Sequence, residues 1–509
     1  MEPIIPHRSA KPHKYLVASI LFCLFLFLVV PAIAETNYWA PWVMNLTTNS
    51  ATINWRGADT GSGSVEYATS SYYDAHQSFQ YKVDSTTTGA YQHVPLAGLA
   101  PDTSYIYKVE PSDNPDAFSN RTFKTMPESG PFTFLVISDS HAEEKRFKYV
   151  ADAIAANETD ALFILDGGDY AGHDDETLWT SYFQYADGML SKFPIFHTIG
   201  NHEYHNPAGG TYPPTDAVQY HETFDIPKGG PLNYSFDCSD IRFVVLNSPD
   251  PNKANGDDPH TSLALAKSQA PWLKEQLNNT TAGTFTIHHH PIWDCFSTTI
   301  DPHLNPWETP YHSYSISANF AGHTHNYQRY SVKGIPYFVV GNAGGKFADI
   351  PQSHLPRWFQ YGETRQLGYL KVKVDPENNT ATAQEIFAAF VLTGTDETAI
   401  VYNPPIVADT FTFPLSSKLS TLTVTKSGLG SGTVTSSPPY IFCGSGSSTY
   451  SANFKKIQRV VLTATPDKGS VFKGWNGDRR GHGKCSVTMY PDKEITVGAI
   501  FEKDSYTAP

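Results

Sequence analysis

Phe132-Thr-Phe-Leu-Val-Ile137, followed by Ser138-Asp139-Ser140-His141, is the stretch on which the fold turns. Six uncharged residues read as a strand buried on both faces, with a carboxylate and an imidazole just past its end. The pattern then repeats. Phe147, Val150, Ala151 and Ile154 recur at helical spacing, Ala161-Leu-Phe-Ile-Leu165 reads as a second strand, and Leu178, Tyr182, Ala186 and Met189 mark a second helix. Phe193-Pro-Ile-Phe196, Arg242-Phe-Val-Val-Leu246 and Thr284-Phe-Thr-Ile287 continue the series. Strands alternating with amphipathic helices imply an α/β domain, whose polar functional groups gather in the loops beyond the strand ends.

Those loops hold metal-ligand chemistry. D-S-H (Asp139, His141), G-G-D (Asp169), G-N-H-E (Asn201, His202, Glu203), H-H-H-P (His288 to His290) and G-H-T-H (His323, His325) follow in order. Carboxylates that bridge and imidazoles that fill the remaining positions suit a pair of cations, which neutralise a phosphoester and generate hydroxide near neutral pH. An extended D-x-H segment would point both side chains to one side. Glycines before Asp169 would let the backbone approach the metals, and Asp169 reads as the bridging carboxylate, with Asp166 behind it or in a turn. A neutral Asn201 ligand keeps the site cationic. His202 would stand beside the metals and protonate the leaving group, the rival reading being a loop hydrogen bond. The three consecutive histidines cannot all face one metal. His325 is expected on the first metal and His323 on the second, and His290, Tyr327 and Arg329 lie close enough in sequence to support the ligands or the substrate. Arg329 has two open readings, a grip on phosphate or a salt bridge that fixes its loop.

At 509 residues several domains are expected. Arg8, Lys11 and Lys14, the apolar run Leu16 to Val30 and Ala32-Ile33-Ala34 read as a cleaved export leader over residues 1–34; the run is shorter than the ~20 residues of a spanning helix, so no stable membrane insertion is expected. The leader carries three basic residues and one acidic one, so the mature chain is two charges more negative than the formal −14. That acidity excludes nucleic acid and anionic membranes as main partners. Four cysteines remain in an exported, disulfide-permissive chain: Cys443 with Cys485 is the favoured pair, and Cys238 with Cys295 the other. Residues 36–127 alternate as a β-sandwich, in Ala51-Thr-Ile-Asn-Trp55 and Ser104-Tyr-Ile-Tyr-Lys-Val109, and serve as a rigid spacer or lid. Residues 131–415 hold the α/β domain, and 416–505 a small all-β module with strands at Leu422–Thr425, Val460–Ala464 and Ile495–Val497.

With all five motifs in order, the chain resembles the calcineurin-like metallophosphoesterase superfamily over roughly residues 36–415. The fibronectin type III-like stretch Leu99-Ala-Pro-Asp-Thr-Ser-Tyr105, with G-N-H-E and G-H-T-H-N-Y-Q-R, resembles its purple acid phosphatase branch. The resemblance implies an αββα catalytic sandwich, a dinuclear metal centre and hydrolysis of phosphate esters. It selects His289, two residues before Pro291, as ligand, giving Asp139, His141, Asp169 and His325 on the first metal and Asp169, Asn201, His289 and His323 on the second. Purple enzymes have glycine where this chain has His141, and a tyrosine three residues after the bridging aspartate, where this chain has Gly172. Replacing a tyrosinate by an imidazole implies a pale centre of divalent or mixed Fe, Zn or Mn. Phe472-Lys-Gly-Trp-Asn476 and Gly481-His-Gly-Lys-Cys485 resemble a divergent internalin B-repeat, which implies cell-wall or matrix contact or an inert β-module.

The expected activity is secreted phosphatase action on phosphate monoesters, with His202 as general acid. Two rivals are a phosphodiesterase or nucleotide hydrolase using the same site, distinguished by loops 251–260 and 303–312, and an inert cell-surface binding protein.

Overall fold

The computed structural model describes residues 38–504, apart from 59–60, 143–144, 206–215, 228–229, 250–262, 279–280, 352, 393–398, 416–419, 445, 455–457 and 490–492. The expected leader and the 251–260 loop therefore lie outside the described residues.

The N-terminal region carries β1 (Trp39–Met44), β2 (Ser50–Arg56), β3 (Gly63–Thr69), β4 (Tyr81–Asp84), β5 (Tyr91–Ala97), β6 (Ser104–Pro111) and β7 (Arg121–Lys124), with helix α1 (Ser70–His76). They form two antiparallel sheets, ordered β1-β2-β5 and β4-β3-β6-β7. Along β6 the inward Tyr105, Tyr107 and Val109 alternate with partly exposed residues, and they pack with Val65 of β3 and with Ile53 and Trp55 of the facing sheet, as a sandwich core requires.

The central region adds β8 (Phe132–Ile137), α2 (Arg146–Asn157), β9 (Ala161–Asp166), α3 (Glu176–Leu190), β10 (Ile195–His197), α4 (Val218–Thr223), β11 (Tyr234–Cys238), β12 (Ile241–Val245), α5 (Leu263–Leu277), β13 (Gly283–Ile287), α6 (Asn305–Tyr314), β14 (Ala318–Ala321), β15 (Tyr327–Val332), β16 (Ile335–Val340), β17 (Phe359–Glu363), β18 (Gln366–Asp375), β19 (Thr380–Val391) and β20 (Ala399–Pro414). Two sheets result, β10-β9-β8-β18-β19-β20 and β11-β12-β13-β14-β16-β15-β17. Alternation along β8 explains the layering. Phe134 and Val136 face the second sheet, where Phe134 meets Phe243, Phe285 and Phe320 at ring distances of 5.2–5.8 Å. Leu135 and Ile137 face outward onto Phe147, Val150 and Ile154 of α2 and Tyr182 of α3. On the far side, Val244 and Tyr337 pack with Leu273 of α5 and with Trp307 and Tyr311 of α6. Helices, sheet, sheet, helices is the αββα sandwich, and β8 is buried throughout, and apolar but for Thr133, because both of its faces are covered.

The N-terminal sandwich packs against α3. Trp39 stacks on Phe183 at 4.5 Å and donates from its indole to Thr180 Oγ1, while Arg56 and Arg121 pair with Glu176 and Asp187. Strands β21 (Ser420–Ser427), β22 (Gly432–Ser437), β23 (Phe442–Cys443), β24 (Thr449–Phe454), β25 (Gln458–Pro466), β26 (Ser470–Gly477), β27 (Cys485–Met489) and β28 (Glu494–Lys503) build the C-terminal module from the sheets β24-β21-β28-β26 and β23-β22-β25-β27.

The expected disulfides are absent: Cys238, Cys295, Cys443 and Cys485 are buried thiols. Cys443 lies on β23 and Cys485 on β27, the two edges of one sheet. Three strand spacings of ~4.8 Å put them about 14 Å apart, twice the ~7 Å limit for a bridge. Nearness in sequence misled because two strands insert between them. Cys238 pairs with Ile241 at the start of β12, whereas Cys295 lies beyond the other end of that sheet, its N–H on Gln328.

Candidate metal centre

Strands β8, β9 and β10 run parallel in one sheet, and β13, β14 and β16 in the other. The loops after these six strands meet at one end of the sandwich. Asp139 and His141 follow β8, Asp169 follows β9, Asn201 follows β10, His289 follows β13, and His323 and His325 follow β14.

The structure brings all seven together. Ligand atoms of Asp139, His141, Asp169 and His325 lie within 4.8 Å of one another, and so do those of Asp169, His289 and His323. Asp169 belongs to both groups. Its Oδ2 is 3.1 Å from His289 Nε2 and 3.7 Å from His141 Nε2. Asn201 Oδ1 completes the second group, 3.0 Å from both His289 Nε2 and His323 Nδ1. On the other side His325 Nε2 is 3.3 Å from Asp139 Oδ1.

The hydrogen bonds behind these atoms show that the donor set fits cations. His289 Nδ1 lies 2.9 Å from Gly167 O and His325 Nδ1 lies 2.7 Å from Lys346 O. A carbonyl only accepts, so each Nδ1 carries the proton and each Nε2 turns a lone pair toward carboxylate or amide oxygens. Lone pairs 3.0–3.3 Å apart repel unless a proton or metal stands between them. Electrostatics agree. Burial would lower His289, but Asp169 and Asp139 outweigh it and hold its imidazolium up to about 9. Burial would raise Asp139 and Asp169, but the imidazoles of His325 and His289 bring the first below the usual carboxylate range and those of His289 and His202 take the second well below it.

The local backbone differs from the extended D-x-H segment expected. Asp139, His141, Asp169 and His323 all have positive φ, at 59°, 40°, 58° and 68°. Non-glycine residues pay about 1–3 kcal/mol each for such conformations, which persist where surrounding contacts over-determine them. Those contacts are visible: His323 N–H donates to Asp139 Oδ2 at 2.8 Å, His202 N–H to Asp169 Oδ1 at 2.9 Å, and Gly345 N–H to Asp139 O at 2.8 Å. The glycine before Asp169 also serves a different purpose from the one expected. A Cβ on Gly168 would stand 2.5 Å from Gly200 N, so it permits loop-to-loop contact rather than approach to metal.

Glu203 joins those two loops. Its carboxyl accepts from Asp169 N–H at 3.0 Å, Tyr170 N–H at 2.9 Å and Gly200 N–H at 2.7 Å. Burial and the nearby Asp169 push it up to about 8 against these donors. Asp166 stands behind the cluster, bound to Gly168 N–H and the Tyr182 hydroxyl, and burial raises it to about 8. His290 turns to Ser248, and its ring lies tilted against that of His323 at 4.3 Å. His288 faces away, its Nε2 on Asn319. His202 presents Nε2 4.0 Å from Asp169 Oδ2 while its Nδ1–H donates to Gly172 O at 2.7 Å. Burial lowers it to about 3, with Asp169 opposing and His141 and His205 adding to the fall.

Tyr327 and Arg329 lie apart from the cluster. Asp409 of β20 accepts from the Tyr327 hydroxyl at 3.0 Å and from Arg329 at 2.6 and 3.1 Å. Of the two readings of Arg329, the salt bridge is the one observed; it ties β15 to the opposite sheet. Tyr170 packs on Trp179 and Tyr182, and burial holds its phenol well above 10. Sequence reasoning missed Gly341 to Lys346, which seat Asp139 and His325, although G-N-A-G-G after an apolar strand was a usable signal. It also missed His205, 4.2 Å from the His202 ring.

Comparison with known proteins agrees with this geometry. Residues 132–327 match the calcineurin-like phosphoesterase family, 41–125 the purple acid phosphatase N-terminal domain, and 421–505 the divergent InlB B-repeat domain. Similar proteins include purple acid phosphatase 21 of Arabidopsis thaliana, 25% identical over 53% of this chain and 62% of that protein, and the phosphoenolpyruvate phosphatase of Allium cepa, 24% identical over 60% and 64%. The matches thus span just under two thirds of those relatives' length. Among solved structures, purple acid phosphatase PPD1 from yellow lupin seeds superposes with a TM-score of 0.56 at 15% identity over 74% of each chain. PhoD gives 0.56 at 16% over 75% of this chain and 91% of its own. At such identities the likeness is one of fold.

Proposed function

Since the chain carries a calcineurin-like phosphoesterase domain between a purple acid phosphatase-type N-terminal domain and a divergent InlB B-repeat, we propose that it is an exported dinuclear-metal phosphatase acting on phosphate monoesters. The observation that carries this reading is Asp169, shared between two donor groups contributed by both sheets. Asp139, His141, Asp169 and His325 would hold one ion, and Asp169, Asn201, His289 and His323 the other. When bound, the pair supplies an activated water and neutralises the phosphoryl oxygens. Fe, Zn or Mn suits this mixture of imidazole and oxygen donors.

The protein's own groups then orient and protonate. Glu203 and the backbone bonds to Asp139 and Asp169 keep the ligands fixed before substrate arrives. His202, with Nδ1–H anchored on Gly172 O, can offer only Nε2 to the substrate. Its low proton affinity makes it neutral in the free enzyme, so the proton it passes to the leaving oxygen arrives with a monoprotonated phosphate monoester. A quarter of its side chain stays exposed, which gives substrate access.

His202→Ala tests the assignment. Turnover of an alkyl phosphate should fall by ~10²–10⁴, and that of p-nitrophenyl phosphate, whose leaving group needs no proton, far less, with metal content retained. Equal losses for both esters would remove the general-acid role, and fewer than two metals per chain in the metal-replete wild type would remove the dinuclear one.

A further inference from the structure

A cavity of about 270 Å³ opens beside the second ligand group, and its lining includes His290, His323, Asp294, Ser297, Asp301 and His303. We propose that it receives the alcohol part of the phosphomonoester and selects a small cationic alcohol, of the amino-alcohol class, over an anionic one. This rests on the phosphatase reading above.

Position comes first. His323 is a candidate ligand and His290 packs against it, so the cavity opens directly beside the second group of candidate ligands. Size comes second: the volume lies just under the ~300–1,000 Å³ of pockets for drug-sized ligands, enough for a short alcohol. Charge decides the class. The lining has two carboxylates and no lysine or arginine among the described residues. Asp294 is already bound, its Oδ1 to Phe296 N–H and its Oδ2 to the Thr324 hydroxyl between the two histidines of G-H-T-H. Asp301 receives both bonds from His303 on Oδ1, which leaves Oδ2 for a ligand. Arg329, for which a grip on phosphate was one of two readings, is committed to Asp409. An ammonium group would find charge here, and a second phosphate or carboxylate would meet repulsion.

Three phosphonates of equal chain length separate tail charge from headgroup binding: 2-aminoethylphosphonate, propylphosphonate and 3-phosphonopropionate. Calorimetry on the metal-loaded full chain should give dissociation constants rising in that order, about tenfold from first to last, the scale of partly exposed ion pairs gained and lost. Asp301→Asn should shrink this ratio to about threefold or less. Ser297→Lys, at an exposed rim position that does not threaten folding, should reverse the order of the charged pair. Equal affinities, a tightest-bound anionic tail in the wild type, or an unchanged ratio in both variants overturns the inference. If inorganic phosphate binds and p-nitrophenyl phosphate turns over without tail discrimination, only the cavity assignment falls. If neither happens, the phosphatase reading falls and takes the cavity with it.

Discussion

Replacing Glu203 by Gln changes one oxygen for an NH2 group in a buried setting where three backbone N–H groups converge. The amide oxygen can stand where Oε2 does and keep Asp169 and Gly200, but its NH2 then faces the Tyr170 N–H. Above pH 8, where Glu203 is ionised and both oxygens accept, at least one buried donor is left without an acceptor, which costs about 1–3 kcal/mol. The damage is local to the loop that carries the shared aspartate. Groups that orient metal ligands typically cost ~10–100-fold in metal affinity when changed, so the E203Q chain should bind its ions that much more weakly. Two measurements check this: thermal unfolding of chelator-treated protein, and competition with a chelator of known affinity followed by elemental analysis. A variant within ~0.5 kcal/mol of wild type and with the same metal affinity would refute the idea that Glu203 positions Asp169.

Asp409→Ala should strand the Arg329 guanidinium, whose side chain is 12% exposed, and lower stability by about 3–5 kcal/mol in thermal unfolding, while KM for phosphate esters stays within about twofold because Arg329 does not reach the centre. Glu385, buried with Asn342 as its hydrogen-bond donor, is raised by burial to about 8 from an ordinary value near 4.5. Its stabilising contribution is therefore full below pH 4.5 and lost as pH rises through 8. At ~1.4 kcal/mol per unit this comes to roughly 3–5 kcal/mol. Glu385→Gln should flatten that part of the stability profile; parallel wild-type and variant profiles between pH 5 and 9 would count against it. The metal-loaded protein should be pale, and Tyr170→Phe should leave its visible spectrum unchanged, since that phenol is enclosed by Trp179 and Tyr182. An intense band that vanished in the variant would place a tyrosinate on the metal.

By itself the sequence determined the layers and the donor inventory. An uncharged strand such as Phe132–Ile137, apolar but for Thr133, declares burial on both faces, and ligand-type residues just past each such strand declare the functional end. These signals are local, a matter of periodicity and of residue type over a few positions. Tertiary structure alone decided what depends on pairing across distance. Sheet order separated Cys443 from Cys485 by two intervening strands, and a partner about eighty positions away committed Arg329 to Asp409. Left-handed turns, rather than extended segments, aim Asp139, His141, Asp169 and His323, because contacts between loops of opposite sheets outweigh the backbone preference of each residue. A chain read residue by residue carries no record of those contacts, which exist only once the two sheets have closed on each other.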